Sequence, residues 1–119
     1  MPYITKEQVS EKRKALKAAL PDYKLSIVRK DLMAISVSIV KGPHAFELDE
    51  RGYKQVNHFS IDRVYENDPE ALRVLSTIRD IASADQTELV YDGDYGSVPT
   101  FYVNMSIGKW DRPYECTAA

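Results

Sequence analysis

The residues Phe101-Tyr102-Val103-Asn104-Met105-Ser106-Ile107 alternate apolar and polar side chains along their whole length. Successive side chains of a β-strand point to opposite faces of a sheet, so this stretch predicts a strand with one buried face. The apolar members face the core, and the opposite face carries Tyr102, Asn104 and Ser106. Gly108 is expected to end the strand.

Two earlier stretches alternate in the same way, over residues 23–27 and 33–39. The polar residues 29–31 lie between them, so the pair predicts a β-hairpin packed on one face. If this hairpin lies beside residues 101–107, then Ser36 and Ser38 share the polar face with Tyr102. A third strand is predicted over 56–61, with Phe59 and Ile61 inward, and a short one over 89–91; residues 44–54 are predicted to be a loop.

Two helices have clear start signals. Thr5 and Gln8 form a capping box, which Ile4 and Val9 flank as a hydrophobic staple, and Pro21 ends this helix. Asp68-Pro69-Glu70 opens a second helix, whose apolar face extends to Ala82.

The element order is therefore helix, three strands, helix and strand, with one extra short strand. One-sided helices and alternating strands indicate an α+β fold with two layers. We expect an antiparallel sheet of about four strands, with both helices on one face, and a single domain over residues 1–119.

The net charge of −2 hides an asymmetry along the chain of 119 residues. Residues 1–30 carry eight lysines and arginines against three acids, a net charge of +5, whereas residues 31–119 carry eight against fifteen, a net charge of −7. Such a split is typical either of an interaction surface or of two solvated faces that attract each other. With 44% hydrophobic and 29% charged residues, the chain is predicted to be globular.

The sequence contains no motif typical of catalysis, cofactor binding or metal binding. Cys116 is the single cysteine and lies far in sequence from His44 and His58, and the scattered glycines form no nucleotide-binding loop. The acidic turn with Asp92 and Asp94 fails the EF-hand spacing. We therefore predict no enzyme activity, no cofactor and no metal site.

The first helix offers a nucleic-acid-binding alternative. Lys6, Arg13 and Lys17 fall on one flank, Lys14 lies further round, and together they could contact phosphates. The order helix, three strands, helix also occurs in double-stranded-RNA-binding modules. However, the second helix begins with acids where those modules concentrate lysines, and a pI of about 5.7 is low for such a module.

The closing segment, residues 101–114, resembles that of the large polyvalent-protein-associated domains of phages, prophages and plasmids. The basic first helix followed by residues 20–29 is similar to the start of that family. That family often has an Asp-Tyr-Phe element before its last strand, and this chain has only Asp94-Tyr95 of it. The resemblance implies a partner-binding protein of a mobile element, in the form of an anti-defence, anti-CRISPR-like inhibitor.

We therefore expect a non-catalytic protein in the host cytoplasm that binds a host protein or nucleoprotein complex. Neither a membrane span nor a secretory signal is indicated by the sequence. Pairing of an exposed last strand would also allow a homodimer. The predicted partner-binding residues comprise basic, acidic and aromatic side chains: Lys6, Arg13, Lys14, Lys17, Asp92, Asp94, Tyr95, Tyr102 and Trp110.

The acidic turn generates the first test. Millimolar calcium or magnesium is expected to leave the melting temperature unchanged, because the turn lacks the ligand spacing of a cation loop. Differential scanning fluorimetry measures this, with EDTA-treated protein as the reference, and a rise of several degrees with either ion would contradict it.

Overall fold

The structure is a computed structural model that describes residues 3–46, 48, 52–58, 60–84, 86, 88–90, 97–99, 101–109 and 111–117, with the backbone alone at 88–90 and 97–99. Three helices and seven strands lie in these ranges. In chain order they are α1 (Lys6–Ala19), β1 (Lys24–Lys30), β2 (Ala34–Gly42), β3 (Lys54–Val56), α2 (Ile61–Val64), α3 (Pro69–Ala82), β4 (Glu88–Val90), β5 (Ser97–Pro99), β6 (Tyr102–Ile107) and β7 (Glu115–Cys116).

The predicted start of α1 is confirmed atom by atom. The Gln8 N–H donates to Thr5 Oγ1 at 3.0 Å, and the Thr5 N–H donates to Gln8 Oε1 at 2.8 Å. Both staple residues, Ile4 and Val9, are buried. These contacts satisfy backbone donors that would otherwise be unpaired at the helix start.

The main sheet has the strand order β1-β2-β6-β3, and β7 pairs with the far end of β2. β1 and β2 form the predicted antiparallel hairpin, and β3 is antiparallel to β6. The expectation of a wholly antiparallel sheet is wrong at the centre, because β2 and β6 are parallel. The chain returns to β6 after passing through the helices, and a crossover of this length is what a parallel neighbour requires.

Two elements differ from the sequence prediction. The strand predicted over 56–61 is shorter and earlier, and Ile61 begins the one-turn helix α2, although its side chain is buried as expected. A turn intervenes, in which the Ser60 N–H donates to the Asn57 carbonyl at 3.0 Å; Asn and Ser favour such local turns over strand pairing. Phe59 and Tyr91 lie outside the described residues. The short strand predicted over 89–91 corresponds to β4, which pairs with β5 in a separate two-stranded sheet.

Helix α3 begins as predicted, with Asp68 accepting from the Ala71 N–H at 3.2 Å and Pro69 in the first turn. Its buried face packs over the same side of the sheet as α1. Helices on one face of a sheet give the α+β, two-layer architecture that the sequence predicts. One hydrophobic core joins the layers, and its largest fully buried side chains are Phe101, Ile4, Leu16, Leu20, Ile35, Ile39, Ile61, Leu75, Ile78, Ile107, Val37 and Val74.

The chain after β6 folds back on the end of the sheet. Gly108 turns with φ of +73°, and a Cβ there would lie 2.3 Å from the Gly52 carbonyl oxygen, so only glycine fits. The Tyr114 hydroxyl donates to the His44 carbonyl at 2.6 Å, and the Tyr114 ring packs edge-on against Phe46. The aromatic tail predicted to fold back does so at Tyr114.

Thr5→Ala is expected to lower the free energy of unfolding by about 1 kcal/mol, because it removes the acceptor for the Gln8 N–H. Thr5→Ser keeps the hydroxyl and is the matched control, expected within a few tenths of a kcal/mol of the parent. Urea unfolding followed by circular dichroism measures both variants, and equal stability of the two would contradict the role of the cap.

Candidate functional site

One face of the sheet is covered by the helices, and the other carries the alternate side chains. β-Sheet register brings Ser36 opposite Asn104 and Ser38 opposite Ser106 on the two central strands. The polar face predicted from the alternation is thus confirmed, with Tyr102 at one end of it. We call this surface the open face; its members are Ser26, Val28, Lys30, Ser36, Ser38, Gln55, Tyr102, Asn104 and Ser106.

Two serines in the middle of the open face form a hydrogen-bonded chain. The oxygens Ser38 Oγ and Ser106 Oγ are 2.8 Å apart, and the Ser106 hydroxyl donates to the Gly108 carbonyl at 2.9 Å. Ser38 is only 9% exposed. Small hydroxyl side chains therefore make a low floor whose hydrogen bonds join the two central strands.

Larger side chains border this floor, so the surface there is concave. A shallow cavity of about 510 Å³ lies over the floor. Tyr53 and Gln55 line one side, and Lys109 and Asp111 of the turn after β6 line another. Concave surfaces with a few convergent polar groups are typical of small-molecule binding sites.

Two apolar residues of the open face, Val28 and Tyr102, lie toward the turn between β1 and β2, and the turn itself adds Leu32 and Met33. We call these four residues the apolar rim. Leu32 is 53% exposed, Val28 47% and Tyr102 43%. Met33 and Tyr102 line a second cavity, of about 280 Å³, together with Lys30 and Asp31. Exposed large apolar side chains that lie together, as Met33 and Tyr102 do at this cavity, are typical of interaction sites.

The turn that presents the rim has an unusual backbone. Asp31 and Leu32 both have positive φ, at 53° and 64°, a region that leucine rarely adopts. The Ile4 N–H holds the Leu32 carbonyl at 3.0 Å, and the Tyr102 N–H holds the Met33 carbonyl at 2.8 Å. Neighbouring elements thus fix a strained turn that displays an apolar side chain to solvent.

The basic residues of α1 divide between the surface and the interior. Lys6, Lys14 and Lys17 are exposed. Arg13, predicted to bind a partner, is partly buried and donates to the Ile27 carbonyl on the edge strand β1 at 2.8 Å. A partly buried guanidinium that caps an edge strand protects that edge from unwanted pairing.

Lys12 is a structural residue that the pattern analysis missed. It is only 6% exposed, and its ammonium donates to the Ile81 carbonyl at 3.2 Å, near the C-terminus of α3. The same ammonium lies 5.2 Å from the centre of the Phe101 ring. A cation is favoured both at a helix C-terminus and over an aromatic face, so Lys12 joins α1 to α3 and to Phe101, directly before β6.

The predicted partner-binding residues that the structure describes lie on more than one surface. Lys6, Lys14 and Lys17 lie on the helix layer, and Tyr102 lies on the open face. Asp92, Asp94, Tyr95 and Trp110 lie outside the described residues. The strand edge predicted to pair in a homodimer is closed over residues 105–107, where β3 pairs with β6.

Titratable side chains have structural partners. His44 Nε2 is 3.0 Å from Asp68 Oδ2. Burial alone would raise the pKa of Asp68, but hydrogen bonds from His44 and the Ala71 N–H outweigh it, so this pKa lies below its ordinary value of 3.8. Burial and the charge of Arg79 lower the pKa of His58 from its ordinary 6.5.

Cys116 lies at the same end of the sheet as His44, because β7 pairs with β2. The cysteine sulfur contacts the Pro43 carbonyl, while the imidazole bonds to Asp68. Among the described residues, no three histidines, cysteines or acids come close enough to hold a metal ion, and no helix is long and apolar enough to cross a membrane.

The Asp68 contacts predict a dependence of stability on pH. The folded-state pKa is depressed, so the contribution of the carboxylate is complete above the ordinary value of 3.8 and is lost as the pH falls through the lower folded value. Asp68→Asn, which still caps the helix, is expected to be less stable than the parent by about 0.5 kcal/mol at pH 5.

That difference should shrink toward zero as the pH falls below 3.8. Urea unfolding at pH 5 and at about pH 3 measures it, and Asp22→Asn at an exposed turn position is the control. A stability difference that stays constant between the two pH values would contradict the assignment.

No protein-family model matches the chain, and neither a curated protein nor a solved structure is detectably similar to it. The resemblance of residues 101–114 to the polyvalent-protein-associated domains stays a prediction. Function is therefore inferred from the described surfaces of the chain itself.

Proposed function

We propose that this chain is a non-catalytic binding protein whose open face and apolar rim dock a partner protein. The observation that carries the proposal is a sheet whose open face no described helix covers, with Val28 exposed at the concave polar floor and Tyr102 exposed on the same face. Burying apolar side chains drives association. A polar surround for a small apolar cluster is the usual anatomy of a reversible interface.

Charge on the open face favours a protein over a nucleic acid. Among the described residues that line its two cavities, the cations are Lys30 and Lys109 and the anions are Asp31 and Asp111. A nucleic-acid interface gains most of its affinity from several phosphate contacts, which needs an excess of lysines and arginines. Tyr102 and Met33 are instead residue types enriched at protein interfaces.

The resemblance to mobile-element domains suggests which partner to seek. A host protein or nucleoprotein complex is the partner class that we propose, and an inhibitor of a defence complex is its most specific form. Docking of a rigid domain on such a complex would exclude its nucleic acid or block its assembly by steric means.

A second candidate function uses α1 instead. Lys6, Lys14 and Lys17 are exposed on the helix layer, and these lysines could contact phosphates. This surface is separate from the open face, so substitutions on one leave the other unchanged. The two functions can therefore be distinguished with two sets of variants.

The double variant Tyr102→Ala, Asn104→Arg changes the open face, and Lys14→Glu, Lys17→Glu changes the helix. We expect the open-face variant to lose partner affinity by about thirty-fold, the effect of removing an interface hot spot. We expect the helix variant to retain it. Affinity capture from host cells that carry defence systems finds the partner, and titration by calorimetry then measures each variant.

Both variants change exposed side chains, and circular dichroism checks that they fold. Loss of the partner in the helix variant alone would contradict the proposal. If that loss is accompanied by loss of a low-salt mobility shift with RNA or DNA, the nucleic-acid-binding function takes its place. Retention of the partner by both variants would exclude both surfaces.

A further inference from the structure

One direction of hydrogen bonding satisfies both contacts of the serines on the open face. A hydroxyl carries one hydrogen, and a carbonyl oxygen only accepts. In that arrangement the Ser106 hydroxyl donates to the Gly108 carbonyl at 2.9 Å, and Ser38 is the donor across its 2.8 Å contact with Ser106. Both hydroxyl hydrogens are thus used within the sheet, and only oxygen lone pairs remain to face the cavity.

The described charged residues that line the cavity over this floor are two lysines and one aspartate, Lys30, Lys109 and Asp111. Lys30 also lines the smaller cavity, together with Asp31. The two lysines disfavour a cationic segment, and the two serines offer an anionic segment no hydrogen-bond donor. A neutral group that donates a hydrogen bond therefore fits the floor best.

We propose that the open face binds a protein segment that places a neutral N–H or O–H donor over Ser38 and Ser106. This inference rests on the proposed function and specifies its partner chemistry. Peptide N–H groups and the side chains of Asn, Gln, Ser and Thr supply such donors. Phosphodiester and carboxylate oxygens only accept, so they find no donor at these two serines.

The matched probes N-methylacetamide and N,N-dimethylacetamide test the donor requirement. They share a carbonyl group and differ in one N–H. In a titration followed by backbone amide NMR, the monomethyl probe is expected to shift the resonances of residues 36–38 and 104–106 with an affinity about fivefold above that of the dimethyl probe. That ratio corresponds to one hydrogen bond.

Substitution of one of the two hydrogen-bonded serines should remove the difference in affinity between the two probes. Ser106→Ala deletes the acceptor of the Ser38 hydrogen, which then becomes a donor for the carbonyl that both probes carry. We expect the two probes to bind the variant equally. Ser26→Ala is the matched control, because Ser26 lies opposite Ser38 on β1 outside the chain, and it should keep the preference.

Equal binding of both probes to the parent protein at these residues would overturn the donor requirement while leaving the open face as a binding surface. Shifts confined to other residues would also overturn it. A preference that survives in Ser106→Ala would show that the discriminating acceptor lies elsewhere. The proposed function itself fails on a different result, the retention of the partner by the open-face variant.

Discussion

The parallel pairing of β2 with β6 is the constraint on which the rest of the structure depends. It inserts the last long strand into the middle of the sheet, between a hairpin and β3 that were formed from earlier parts of the chain. The intervening chain must cross the sheet before it returns, and α3 occupies that crossover. One face is therefore covered by helices, and the small polar residues of two central strands meet on the other.

Many polar side chains that look available for binding are used to hold this arrangement together. The ammonium of Lys12 joins α1 to the end of α3, and the guanidinium of Arg13 caps the edge of β1. His44 and Asp68 fix the start of α3 against the end of β2. The positive charge of the first thirty residues therefore overstates the basic surface of α1, because Lys12 and Arg13 make internal contacts.

Local features of this fold follow from the sequence, and long-range ones do not. The capping box at Thr5, the start of α3 and the polar alternation around Asn104 depend on residues close in sequence, and each was predictable from spacing. The parallel contact of β2 with β6 depends on strands more than sixty residues apart, and alternation is the same in parallel and antiparallel strands. Neither the strand order nor the burial of Lys12 could be found without that contact.

The candidate site was predictable to the same extent. Alternation assigned Tyr102, Asn104 and Ser106 to one face, and adjacency of the hairpin added Ser36 and Ser38. The apolar rim was not predicted, because Leu32 belongs to a turn that a hydrogen bond from the distant Ile4 N–H to its carbonyl holds in place. Turn residues carry no period from which exposure can be deduced.

Floor and rim make different contributions to binding. The floor is solvated in the uncovered protein, so a partner must replace water with equivalent hydrogen bonds, and the net gain is small. The rim gains free energy when Val28, Leu32 and Tyr102 leave water, since that burial needs no replacement. Affinity therefore arises mainly at the rim. The hydroxyls of Ser38 and Ser106 contribute mainly to specificity, because a partner without a matching donor removes water from the two serine oxygens and leaves them unpaired.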